Sequence, residues 1–185
     1  MPLQYREDRA TQAAARLIQR EGGAINHMKL IKLLYIAERR ALLRWGRPIT
    51  FDWYVSMPHG PVLSATLDKI NEPEDPKGSS YWHRHITERR NHEVKLKNAA
   101  EIPNDQLSPA EEALLDEVYA EFGRMSQWEL RDYSHTLPEW QDPDGSRLPI
   151  RVEDILRSEG MTEEDIKELL DGLQAEQFAE RFTAR

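Results

Sequence analysis

The sequence predicts a mainly α (α+β) protein: a helical domain with a small β element, made of a short strand plus a hairpin, and a C-terminal helix. Three observations lead there. Apolar residues recur at three- and four-residue spacing in several segments, period-two alternation is confined to short runs, and Gly and Pro punctuate the joins. With 185 residues, 39% hydrophobic and 31% charged, the chain has the composition of a globular protein that buries a core without a covalent staple.

The first helix is expected from about Asp8 to Arg20, where Ala10, Ala13, Ala14, Leu17 and Ile18 share a face and Gly22-Gly23 stops the run. Asn26 is a good N-cap for the next helix, in which Leu30, Ile31, Leu34, Ala37, Ala41 and Trp45 recur at helical spacing. That makes it the expected central core helix, ended by Gly46-Arg47-Pro48. Phe51, Trp53, Val55 and Met57 then alternate with Asp52, Tyr54 and Ser56, the pattern of a short strand. By the same periodicity Trp45 and Trp53 are expected in the core. Gly60 permits a tight turn, and Pro61 suits the first turn of a helix over Val62 to Ile70.

A surface loop is expected over Asn71 to Ser80, after which the runs Trp82 to Thr87 and His92 to Lys97 flank Arg89-Arg90-Asn91 and read as a β-hairpin. Ser108-Pro109-Ala110-Glu111 is a capping box, and Ser126-Gln127-Trp128-Glu129 repeats the pattern. Prolines keep Leu137 to Pro149 irregular. A brief helix is expected over Val152 to Arg157, and Thr162 caps a last one whose stripe is Ile166, Leu169, Leu170 and Leu173. The organisation expected is a domain over residues 1–149 and an acidic helical extension over 150–185, packing on or beside it.

Composition excludes several classes of function. With no cysteine, thiol catalysis and Cys-based zinc sites are ruled out, and nothing points to an oxidising destination. Met1 to Arg9 is charged rather than apolar and does not read as a signal peptide, and no apolar run approaches the roughly 18 residues of a membrane span. A soluble, cytoplasmic protein with no membrane association is expected. A net charge of −8 does not fit DNA binding, which leans on neutralising phosphates. The charge is uneven: Met28 to Arg44 holds Lys29, Lys32, Arg39, Arg40 and Arg44 against Glu38 alone, whereas Arg151 to Arg185 carries ten acidic and five basic side chains.

Catalytic constellations are sparse. His83 and His85 would share a strand face, and His92 would approach them across a hairpin, so a metal-dependent hydrolase using His83, His85 and His92 is the alternative function. No matching carboxylate or H-E-x-x-H pattern accompanies them, and exposed decoration of a sheet explains them as well. Ser134-His135 lacks the nucleophile-to-base geometry that activation requires, and the nine glycines form no phosphate loop. No catalytic residue, metal ligand or cofactor is assigned. The basic helix face is by default a solvated surface.

Three motifs carry a resemblance. Lys29-Leu30-Ile31-Lys32-Leu33-Leu34-Tyr35-Ile36-Ala37 resembles a helix of the Panacea (SocA-like) antitoxin domain, Met57-Pro58-His59-Gly60-Pro61-Val62 its Gly-Pro-Val turn, and Leu130 through Ser134-His135 to Pro138-Glu139-Trp140 its closing motif. They occur in the family's order and span about Gly23 to Trp140, so residues 1–149 are read as that domain. The resemblance implies a mainly helical, non-enzymatic antitoxin of a toxin-antitoxin system, often phage-associated, that neutralises a cognate protein toxin encoded by a neighbouring gene through direct binding. In one branch it implies delivery of the toxin to a protease, of the AAA+ kind, as an adaptor. The partner-facing surface is expected on Lys32, Arg39 and Arg40 of the basic helix, on Trp53, Tyr54, His59 and Trp82, and on the acidic C-terminal helix. Gly60, Pro61, Ser134, His135 and Trp140 read as structural devices of the motifs.

Overall fold

A computed structural model describes residues 4–74 and 77–183 of the chain. Among the described residues, helices α1 (Glu7–Arg20), α2 (His27–Trp45), α3 (Ser64–Asn71), α4 (Tyr81–His85), α5 (Pro109–Phe122), α6 (Gln127–His135), α7 (Val152–Ser158) and α8 (Glu163–Thr183) dominate. The strands are β1 (Ala24–Asn26), β2 (Tyr54–Met57), β3 (Gly60–Leu63), β4 (Glu93–Lys95) and β5 (Leu148–Ile150), in two antiparallel sheets ordered β1-β4 and β3-β2-β5. The fold is mainly α with a small β element, as the sequence predicts. None of the described helices is long and apolar enough to cross a membrane.

Helix α2 is the axis. Asn26 caps it, its side chain accepting from the backbone N–H groups of Met28 (2.9 Å) and Lys29 (3.2 Å), and Gly46 ends it in a left-handed conformation, φ 66°. Between these ends every residue from Lys29 to Glu38 is buried, because α1, α3, α5, α6, β1 and β3 pack around it. Burying a leucine such as Leu30, Leu33 or Leu42 contributes about 1.5–3 kcal/mol, so this enclosure dominates the core. Glu38 is carried inside as well. Its carboxylate accepts from the N–H of Ile49 (2.9 Å) and from the N–H (3.0 Å) and hydroxyl (2.7 Å) of Thr50, pinning the chain where it leaves α2.

Both capping boxes form: Ser108 and Ser126 each accept from the N–H three residues on, and Glu111 and Glu129 reach back. Two expectations are corrected. Pro61 lies in β3, opposite Ser56, and the following helix starts later, at Ser64. A proline missing its N–H is tolerated there because β3 is an edge strand of its sheet. The arm from Trp82 is not a strand but the short helix α4, capped by Ser80, and β4 finds its ladder partner in β1, with Ile25 opposite Val94. The bridges Ile86 to Leu96 and Arg90 to Glu93, the backbone bonds Thr87 N–H to Lys95 O (2.9 Å) and Lys97 N–H to His85 O (2.9 Å), and the Lys95 N–H to the Thr87 hydroxyl (3.1 Å) tie the two arms.

The chain after Leu137 returns to the same core. Pro149 enters β5, opposite Val55, and Ile150, Ile155, Leu156, Ile166 and Leu173 are buried. Tryptophans divide against expectation: Trp82 is fully enclosed, whereas Trp45 and Trp53 are 40% and 55% exposed. Trp45 is the last residue of α2, and its ring lies beside the Arg44 guanidinium at 6.0 Å. Trp82→Ala is therefore expected to cost about 3–5 kcal/mol in denaturant unfolding, and Trp53→Ala less than about 1 kcal/mol.

Candidate functional site

The three sequence motifs meet at one place. The β2–β3 turn, Pro58-His59, presents Gly60 at φ 93° to the C-terminal end of α6 and to the middle of α2. A Cβ on Gly60 would overlap the Ser134 hydroxyl and stand 2.9 Å from Lys32 Nζ and 3.2 Å from His135 Cδ2. Glycine is required twice over, by backbone shape and by space. Lys32 Nζ donates to the carbonyl of Pro61 at 2.8 Å, and the Ser134 hydroxyl donates to the Arg131 carbonyl of its own helix at 2.8 Å. The His135 ring stacks on Trp140, with centroids 4.0 Å apart and planes 13° apart, and Trp140 Nε1 donates to the Met57 carbonyl at 3.1 Å.

A second link runs from α2 to the same segment. Tyr35 donates its hydroxyl proton to Glu139 Oε1 (2.8 Å), and Arg39 Nε donates to the same oxygen (2.9 Å) while its Nη2 reaches Glu159 (2.7 Å). Burial disfavours the Arg39 cation, yet Glu139 and Glu159 outweigh it and raise the pKa. Burial and the adjacent Glu139 carboxylate push the Tyr35 hydroxyl well up. Burial alone pulls Lys32 down to about 7, and burial, Lys32 and Arg131 together lower His135. An amine near neutrality, a hydroxyl and an imidazole are thus brought together, but Ser134 and Lys32 lie inside the protein and both already donate to backbone carbonyls. The arrangement is a clasp closed on itself.

The side chains expected to face a partner are sorted by burial. Lys32 is 1% exposed, and Tyr54 and Trp82 are also core residues, so these three stand behind the surface. For Lys32 the reason is the enclosure of α2, for Tyr54 its edge-on contact with Tyr35, with centroids 5.9 Å apart, and for Trp82 the packing of α4 on α1. Arg39 and Arg40 are half-buried, and His59 and Trp53 are exposed. The basic face of α2 is also neutralised from within. Arg40 pairs with Glu121 (2.7 Å) and Arg44 with Glu117 (2.9 Å), both on α5. The histidines do not converge: His83 is buried, His85 lies against Tyr81, and His92 stacks on His27 at 5.8 Å. Among the described residues no three His, Cys, Asp or Glu side chains could hold a metal ion. The metal-hydrolase alternative loses its geometric premise with the hairpin.

Two residues that sequence reasoning passed over organise the surface beside this clasp. Glu139 joins α2 to the closing motif, and the signal for it was an acid set between Leu137, Pro138 and Trp140. Asp52 is buried, and its carboxylate accepts from the N–H groups of Trp53 (2.6 Å), Ala65 (2.8 Å) and Thr66 (2.8 Å) and from the Thr66 hydroxyl (2.7 Å). It caps α3 from thirteen and fourteen residues away, since Leu63 at the N-cap has no capping side chain. Just before it, Phe51 takes φ 57°, a conformation that costs a bulky residue about 1–3 kcal/mol. That reversal buries the Phe51 ring and leaves the Trp53 ring outside.

Comparison with known families agrees with the motifs. A family model described as antitoxin SocA-like, Panacea domain, matches residues 30–141. The chain belongs to the SocA-like antitoxin (Panacea) family. The match begins on α2 and ends one residue past Trp140, so it encloses every side chain of the clasp. No curated protein and no solved structure matches the chain.

Gly60→Ala is expected to destabilise the fold by about 2–4 kcal/mol, read as a lower denaturation midpoint, because it adds strain and overlap at once. Lys32 imposes a pH dependence. Between its folded pKa of about 7 and its ordinary value of 10.5 the folded chain holds the neutral amine and the unfolded chain the ammonium, so the unfolded state binds the extra proton. Stability is expected to rise from pH 7 towards 10 in the wild type relative to Lys32→Met, measured by urea unfolding at each pH. Parallel curves for the two proteins would show that Lys32 is charged in the folded state.

Proposed function

We propose that the protein is an antitoxin that neutralises a cognate protein toxin, encoded by a neighbouring gene, through direct protein–protein binding in the cytoplasm. Membership of the SocA-like family supports the class. The observation that carries the binding reading is the clasp: Lys32, Ser134 and Trp140 each donate to a backbone carbonyl, Glu139 accepts from Tyr35 and Arg39, and His135 stacks on Trp140 beside Gly60. Motif residues committed in this way hold a scaffold, and recognition then falls to the surrounding exposed side chains. The delivery of a toxin to an AAA+ protease is a further step on the same binding event.

Co-expression tests this. Induction of the neighbouring gene product alone is expected to arrest growth, and co-expression of this protein to restore it, with the two proteins co-eluting on size exclusion. Sustained arrest together with separate elution would falsify the reading. Gly60→Ala is expected to rescue less well at 37 °C than at 20 °C, since it acts through folding.

A further inference from the structure

Arg89 is an exposed arginine that is fixed in place with its recognition edge unused. Its Nη1 donates to Asn71 Oδ1, at the end of α3, at 2.8 Å and to His27 Nε2, on the first residue of α2, at 3.4 Å. That histidine can accept because its Nδ1 faces the His92 carbonyl at 3.0 Å; a carbonyl only accepts, so Nδ1 carries the proton. Burial, helped by Arg89 and His92, outweighs this hydrogen bond and lowers the His27 pKa, which keeps the ring neutral at neutral pH. Arg89 Nε and Nη2, the pair of N–H groups that grips a carboxylate side-on, donate to nothing among the described residues.

The tip of the arm is built to hold this arrangement. Asn91 (φ 51°) and His92 (φ 65°) form a two-residue type I′ turn closed by reciprocal backbone bonds between Arg90 and Glu93, 2.9 Å each. The second position of such a turn suits glycine, and a histidine there is strained. Glycine would keep the His92 carbonyl, which accepts from the His27 N–H at 2.9 Å as well as from Nδ1. It would lose the imidazole, which stacks on that of His27 with centroids 5.8 Å apart.

The charge of the arm selects the occupant. Residues 77–97 hold six basic side chains against two acidic, in a chain with 25 basic and 33 acidic overall. Around Arg89 the other cations are engaged: Arg90 Nε and Nη2 on Glu88 (2.8 and 2.6 Å), Lys95 on Glu93 (3.7 Å) and Arg84 Nε on the Gly78 carbonyl (3.0 Å). The site therefore offers one oriented, unneutralised guanidinium edge rather than a track of cations. One such edge matches one carboxylate of an acidic protein surface. Nucleic acid calls for several phosphate-neutralising cations in succession, and the net charge of −8 opposes it. A two-fold dimer centred here would set one basic arm against the other.

We propose that Arg89, held by Asn71, His27 and His92, is the docking site for an aspartate or glutamate side chain of the toxin. The proposal rests on the antitoxin reading and deepens it. The test uses the full chain and the neighbouring gene product, with affinity measured by biolayer interferometry. Arg89→Ala is expected to weaken the complex at least about 30-fold, the scale of a hot-spot residue. Arg89→Lys, which keeps the charge and removes the fork, is expected to weaken it at least about 10-fold. His92→Gly, which relieves the turn and removes the stacked ring, is expected to weaken it at least about 5-fold without lowering the denaturation midpoint, a split that a merely structural role would not give. Arg124→Ala, at an exposed arginine that no hydrogen bond or ion pair holds among the described residues, is expected to change it less than about 2-fold. Circular dichroism unchanged in each variant ties the losses to binding.

The outcomes separate. A wild-type complex that Arg89→Ala leaves intact overturns the site and spares the antitoxin reading, whereas no wild-type complex overturns both. Full affinity in Arg89→Lys overturns the carboxylate fork in favour of plain charge, and full affinity in His92→Gly overturns the part given to the histidine. Arg89-dependent binding of a fluorescein-labelled DNA duplex or single-stranded RNA at physiological salt, or Arg89-dependent self-association on size exclusion, overturns the toxin as the occupant.

Discussion

From Lys29 to Glu38 helix α2 is buried although it carries Lys29, Lys32, Tyr35 and Glu38, with Arg39 half-buried beside them, and the cost of hiding those polar groups dictates what surrounds it. Each one recruits a different stretch of chain. Lys32 fixes the Pro61 carbonyl, Glu38 the Ile49-Thr50 backbone, Tyr35 and Arg39 the Glu139 carboxylate, and Lys29 both Glu21 and the Gly123 carbonyl. The β2–β3 turn, the exit from α2 and the segment after α6 are thereby positioned by one helix. Where a buried group has one partner, as Tyr35 has in Glu139, removing it leaves that group unpaired, a larger penalty than the hydrogen bond itself is worth. Satisfying them all at once selects one arrangement of the chain around the helix.

The same requirement explains what was legible in the sequence and what was not. Helices with local signals stood out: Asn26 as a cap, the two Ser-x-x-Glu boxes, Gly46 as a stop. These depend on neighbours three or four residues away. Features that depend on distant partners did not stand out. Lys32 looked like surface because lysine usually is, and only the Pro61 carbonyl, 29 residues on, makes its burial possible. The arm at Trp82 alternates like a strand, but Glu7, far upstream, accepts from the Trp82 N–H and the Ser80 hydroxyl and holds it as a helix. The period-two count put Trp53 inside because periodicity assumes an unbroken strand, and the left-handed Phe51 breaks it. The motif residues were legible as a set while their mutual contact was not, since nothing in spacing says that Gly60 touches Ser134.

Charge tells a parallel story. Read linearly, α2 is a basic helix and the C-terminal segment an acidic one, which invites pairing the two. In the fold α2 spends its exposed arginines on α5, and only isolated links, such as Arg39 to Glu159 and Arg47 to Glu176, reach the C-terminal segment. The exposed pairs contribute little to stability individually. Their effect is to neutralise the basic face of α2 within the fold itself.

The left-handed residue at Phe51 separates two kinds of inheritance in the chain. On one side of that reversal, side chains answer to a crowded interior, where a change of one methyl is felt. On the other side a ring is mounted on a backbone held by Asp52, so its identity can drift without disturbing anything beneath it. The outward position and the framework beneath it are thereby free to change independently of each other.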